Sequence, residues 1–147
     1  MTPDAVSFRE GSPADLQSTF LLSERTMHAV AVQQGFLRAE AGTDAQLAES
    51  WGRYRNLVEF LDAQPQRRYV IAESRSGVVA FARVVHFGAM EQLTDLMVHP
   101  ARQGEGLGRQ LLEQIWPGDP SPSLGRLVVA TGAPRDLSLY TLSLIHI

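Results

Sequence analysis

Between the apolar run Leu96-Met97-Val98 and the amphipathic segment 107–116, the chain places glycine at 104, 106 and 108. Glycine weakens a helix or strand interior because more backbone freedom is lost on folding. Three of them at alternate positions therefore answer a local requirement. The first turn of a helix carries backbone N–H groups with no intrahelical partner, and its dipole makes the spot partly positive. Removing side chains there lets a phosphate approach those N–H groups closely. Arg102 and Arg109 flank the loop, and either could add charge. The chemistry on offer is anion binding by backbone. Spacing excludes two nucleotide motifs, since G-x-G-x-x-G needs glycine where Arg109 stands, and a P-loop needs lysine then serine or threonine after its last glycine.

The elements around this loop follow from period and punctuation. "VSFRE" alternates apolar and polar residues and predicts a strand. Ser12, Pro13 and Asp15 then supply an N-cap, a first helical position and a carboxylate that reaches back. Leu16, Phe20, Met27, Val30 and Phe36 recur at roughly helical spacing, giving one long or broken helix that Gly42 interrupts. Thr43 and Gln46 form a second capping box. Leu47, Trp51, Tyr54, Val58 and Leu61 share a face of the helix that Pro65 ends. Trp51 and Tyr54 are read as packing between the helices; lining a substrate entrance is the alternative. "RRYVIAES" and "GVVAFARVVHFG" are strands joined across a turn at Gly77, and "MEQLTDLMVHP" is a third. "GLGRQLLEQIW" is a helix with Leu107, Leu111 and Ile115 on one face, and "GRLVVATGA" is a last strand with a buried centre at 128–130. The order β-α-α-β-β-β-α-β describes one α/β domain.

Composition narrows the function. A chain of 147 residues, 44% hydrophobic and 20% charged, can bury a core as one domain. A net charge of −3 gives no footprint for nucleic acid or an anionic membrane. Absence of cysteine excludes disulfides, zinc thiolates and a thiol nucleophile, and fits a reducing compartment. No apolar run approaches the roughly 20 residues of a membrane helix, and "MTPDAVSFRE" lacks the pattern of a signal peptide. The expectation is a cytoplasmic protein with no metal.

"LMVHPARQGEGLGRQLL" resembles the acetyl-CoA-binding motif of the GCN5-related N-acetyltransferases (GNAT), written Q/R-x-x-G-x-G/A, through Gln103, Gly106 and Gly108. The element order upstream matches that family too. The resemblance implies a mixed, mostly antiparallel sheet flanked by helices. It implies acetyl-CoA as cosubstrate, with its pyrophosphate on the amides of Gln103, Gly104, Gly106, Leu107, Gly108 and Arg109, and its pantetheine arm along Leu96, Met97 and Val98. A strand bulge would direct a backbone N–H at the thioester carbonyl. A primary amine, on a small molecule or a peptide, would attack directly in a ternary complex. A homodimer is compatible with the family.

Side-chain roles are implied less fully. Tyr140 in "DLSLYT" matches the tyrosine that serves the family as acid; packing is the other reading. The family's usual glutamate is replaced by Thr94, which cannot act as a base, and Asp95 should face away from Thr94 as a structural acceptor. Glu91, nearer the start of the strand, is the remaining candidate base, while His86 and His99 read as packed or surface residues. A non-catalytic acyl-CoA-binding or regulatory module is the alternative to an enzyme. After "LSLYT" the family pattern breaks: the closing strands are missing, and "LSLIHI" is what one frame of a transposon-end sequencing adapter encodes. The expectation is an incomplete N-acetyltransferase domain over 1–141 and a non-native tail over 142–147, with a genuine short apolar tail as the alternative.

Overall fold

The computed structural model describes residues 4–38, 42–118 and 121–129. Tyr140 and the segment 142–147 lie outside the described residues. The elements run β1 (Ser7–Glu10), α1 (Leu16–Gln33), α2 (Asp44–Asp62), β2 (Arg68–Ser74), β3 (Gly77–Phe87), β4 (Met90–Val98), α3 (Leu107–Ile115) and β5 (Gly125–Val128). This is the order expected from the sequence. The strands form one five-stranded sheet in the order β1-β2-β3-β4-β5. All pairs are antiparallel except β4–β5, which α3 connects as a parallel crossover.

Local signals explain most boundaries. The Asp15 carboxylate accepts from the Ser12 N–H at 2.9 Å and so closes the 3-10 turn Pro13–Asp15 that starts α1. Thr43 and Gln46 cap α2 reciprocally, at 3.3 and 2.9 Å. The end of α1 is where the sequence reading fails. Gly35, with φ +78°, stops the helix before Phe36: the Phe36 N–H donates to the Ala31 carbonyl at 2.8 Å and the Gly35 N–H to that of Val32 at 3.0 Å. Phe36 therefore leaves the helical repeat and is 76% exposed.

Two apolar clusters cover the two faces of the sheet. On one, Leu107, Leu111, Leu112 and Ile115 of α3 pack on Ala72, Ala80, Ala82, Val84 and Leu93. On the other, Leu16 and Leu22 of α1 and Val58 of α2 pack on Tyr69, Ile71 and Phe81. The alternation of Tyr69 and Ile71 with Val70 and Ala72 along β2 is the period-2 pattern serving both faces at once. Full burial of Leu111 and Ile115 contributes roughly 1.5–3 kcal/mol each and anchors the helix whose first turn follows the glycines. The last strand differs from expectation. Val128 is only half-buried and Val129 is 79% exposed, because β5 pairs with β4 alone among the described residues.

Candidate active site

The glycine loop begins where β4 ends. His99 accepts the Ala101 N–H on Nδ1 at 3.1 Å and so caps the 3-10 turn Pro100–Arg102, a structural use of that histidine. The Gln103 side chain folds back to donate to the Val98 carbonyl at 3.2 Å, fixing the loop to the strand. Gly104 and Gly106 then take φ of +90° and +81°, which side chains resist, and Gly106 is the N-cap of α3. A Cβ at Gly106 would meet only the Gln110 side chain, at 3.8 Å. Beyond the turn itself, the protein's own packing does not require that space to be empty. Gly106 makes no side-chain cap, so the first-turn N–H groups of Leu107, Gly108 and Arg109 have no capping acceptor among the described residues. Of the two flanking arginines, Arg102 is already engaged, by Glu105 at 2.8 Å and the Asp4 carbonyl at 3.3 Å. Arg109 is exposed and makes no ion pair among the described residues, so the loop's free positive charge is Arg109 alone.

β4 carries a bulge. Arg83 pairs with Asp95 and Val84 with Leu93, so Thr94 is the extra residue. Leu93 and Leu96, an odd number of positions apart, consequently both pack on the α3 side. The bulge also overturns the expected separation of Thr94 from Asp95: the Thr94 hydroxyl donates to the Asp95 carboxylate at 2.9 Å and lies 3.3 Å from the Arg83 carbonyl. Arg83, 2% exposed, donates to the same Asp95 oxygen at 3.1 Å and lies over the Tyr69 ring at 4.6 Å. The Tyr69 hydroxyl meets Thr19 of α1 at 2.7 Å, and burial raises its pKa. A continuous polar chain thus runs from α1 through β2 and β3 to the bulge. Past Leu93 and Val128 the parallel pairing of β4 with β5 stops. The edge of Leu96, Met97 and Val98 on that side has no strand beside it among the described residues.

A cleft of about 520 Å³ opens between α1, α2 and the face of β3 and β4. Tyr54, 44% exposed, lines it and also packs on Phe20 with ring centroids 6.1 Å apart; Trp51 packs on the same ring at 5.4 Å, so both residues pack between the helices as expected. Asp95 and Met97 reach the cleft from the sheet, and Glu24, Ser23 and Thr19 from α1. Glu24 escaped the sequence reading because a glutamate on a helix ordinarily marks a solvated face. Glu91 is not a lining residue. It sits at the other end of β4, 3% exposed, with the Arg68 guanidinium against its carboxylate, His86 at 2.6 Å and Arg126 at 3.7 Å.

Residues 65–136 match the sequence profile of the acetyltransferase (GNAT) domain. That stretch is a GNAT-family domain. Its fold is shared with a GNAT-family acetyltransferase from Streptococcus pneumoniae TIGR4, at 15% identity, TM-score 0.61, and coverage of 97% of this chain and 89% of the other. A predicted acetyltransferase, with acetyl-CoA, from Clostridium acetobutylicum gives 16% identity and TM-score 0.56 over 97% and 91%. The PaiA N-acetyltransferase from Thermoplasma acidophilum, in complex with coenzyme A, gives 15% and 0.53 over 75% and 69%. Against several other acetyltransferase structures the chain spans 56–66% of their length. At these identities the likeness is one of fold. No curated protein matches the sequence. No helix among the described residues is long and apolar enough to cross a membrane.

Proposed function

We propose that the chain transfers the acetyl group of acetyl-CoA to a primary amine by direct attack in a ternary complex. The observation that carries the reading is the bulge at Thr94. There β4 and β5 part, and the strand edge they leave leads directly into a helix start turned by Gly104 and Gly106. The pantetheine arm would add to the edge at Leu96, Met97 and Val98 as a peptide adds to a sheet. The pyrophosphate would meet the amides of Gln103, Gly104, Gly106, Leu107, Gly108 and Arg109, with the Arg109 side chain adding charge. A backbone N–H at the bulge would polarise the thioester carbonyl.

The amine would enter from the cleft beneath α1 and α2. Its neutral nitrogen attacks the carbonyl carbon, the C–N bond forms, and the C–S bond breaks. The coenzyme A thiolate takes a proton, and the nitrogen loses one, giving amide and free thiol. Tyr140 stays assigned as the proton donor on the family resemblance. Asp95 acts as a positioning residue at the cleft wall, since Arg83 and Thr94 both donate to its carboxylate. Glu91, enclosed by cations away from the cleft, is proposed as a structural anchor, so the departing proton goes to water. The setting is proposed to be the cytoplasm, and no metal takes part.

One observation favours a non-catalytic acyl-CoA-binding module: the hydroxyl that replaces the family's glutamate, on Thr94, makes both its contacts within the sheet. The experiment that separates the two offers acetyl-CoA and a panel of amines and follows free thiol and acetylated product by mass. The enzyme releases both; a binding module binds coenzyme A and releases neither.

A further inference from the structure

The charges lining the cleft can be matched to their partners one by one. Arg83 and Asp95 neutralise each other at 3.1 Å. Arg53 is held by Glu49, one turn earlier on α2, at 2.8 Å. The remaining lining charge is Glu24, which makes neither a hydrogen bond nor an ion pair among the described residues and is half-buried on α1. Much of the remaining wall is apolar, with Phe20, Met27, Leu57, Leu61 and Met97. A pocket with one unmatched carboxylate in an apolar wall attracts one positive charge and an apolar body.

We infer that Glu24 receives the ammonium group of the incoming acceptor, which gives up one proton to water before its neutral nitrogen attacks, and that the acceptor class is a monocationic primary amine carried on an apolar or aromatic body. The inference rests on the acetyl-transfer reading and makes it more specific. A polyamine would bring further ammonium groups against Phe20, Met27 and Leu57 with no second unmatched carboxylate among the described residues that line the cleft, and desolvating them is costly. An α-amino acid would bring a carboxylate toward Glu24, where Arg53 is the one lining cation outside the Arg83–Asp95 pair and is tied to Glu49. The Tyr54 ring, partly exposed in the same cleft, offers an aromatic face to the cation or to the apolar body.

The test compares 2-phenylethylamine, hexylamine, spermidine and phenylalanine as acceptors by thiol release with acetyl-CoA, for the wild type, Glu24→Gln and Glu24→Asp. The two apolar monocations should exceed spermidine and phenylalanine by about tenfold or more in kcat/KM, the worth of one unmatched charge contact. Glu24→Gln should raise KM for 2-phenylethylamine by a factor on the order of ten with kcat within roughly twofold, and Glu24→Asp should recover part of the loss. Preference for spermidine or phenylalanine, or an unchanged KM in Glu24→Gln, overturns the inference. Calorimetric titration of the same amines in the presence of coenzyme A separates the two layers. Glu24-dependent binding of 2-phenylethylamine without turnover refutes acetyl transfer and upholds the cleft assignment. Binding indifferent to Glu24 refutes the assignment whether or not thiol is released.

Discussion

Replacing Glu91 by glutamine separates a structural anchor from a general base. The substitution keeps the shape of the side chain and removes its charge. Glu91 is 3% exposed, and its carboxylate faces Arg68 of β2, His86 of β3 and Arg126 of β5. These contacts join every strand of the sheet except β1 at one end. Removing one partner of a buried ion pair costs about 3–5 kcal/mol. Arg68 is 36% exposed and can turn toward water, which argues for the lower end, about 3 kcal/mol. The Arg126 side chain, 8% exposed and lying over the Trp116 ring at 4.9 Å, has less room to turn. At roughly 2–4 °C per kcal/mol for a domain near this size, the melting temperature should fall by about 6–12 °C. Thermal unfolding by circular dichroism reads this directly, and thiol release well below the transition reads activity. The structure leads us to expect kcat/KM within a few-fold of the wild type there. A general base contributes about 10²–10⁴-fold. An unchanged melting temperature with a loss of that size would refute the anchor and restore Glu91 to the chemistry.

Three further outcomes follow from the packing and the charges. Gly11→Ala builds a Cβ 2.3 Å from the buried Tyr69 ring, so it should destabilise by about 1–3 kcal/mol; a melting temperature equal to the wild type contradicts this. Asp95→Asn removes the charge facing buried Arg83 and loosens the bulge. It should lower kcat by roughly tenfold to a hundredfold with KM for acetyl-CoA little changed, and the reverse split in steady-state kinetics would mark a binding role. The Asp15 carboxyl, bonded to Arg9 and the Ser12 N–H, is held down to about 2 from 3.8. Its contribution is therefore present above pH about 4 and lost as pH falls toward 2; a shift of that size is worth about 2 kcal/mol, discounted to about 1 because Arg9 is 38% exposed and screened. Asp15→Asn should flatten the wild-type fall in stability between those pH values, and a parallel fall in both proteins counts against the pairing.

The fold was legible because its breaks are chemical. Ser12, Thr43, Pro65, Gly77 and Pro100 mark boundaries that hold wherever the backbone is. Gly35 leaves no break in the pattern, because the helical spacing reaches Phe36 as if no turn intervened. The bulge was legible only through the family resemblance. Alternation assigns Thr94 and Asp95 to opposite faces, and one extra residue cancels that rule without leaving a signal of its own. The pairing of Arg83 with Asp95 depends on the same register, so it was hidden too. Periodicity correctly turned Tyr54 inward with Val58, yet it cannot distinguish a side chain that meets the core from one that meets a cleft. Glu24 shows the same limit from the polar side.

The central claim is that the glycine-turned start of α3 holds coenzyme A. Titrating coenzyme A, and ATP as the competing phosphate ligand, into the wild type and Gly106→Trp tests it most directly, by calorimetry and thermal shift. Coenzyme A should bind and raise the melting temperature of the wild type while ATP does so weakly. Gly106→Trp, which fills a space the protein's own packing leaves open, should abolish the effect. Unchanged affinity in that variant, or protection by ATP and not by coenzyme A, would contradict the account.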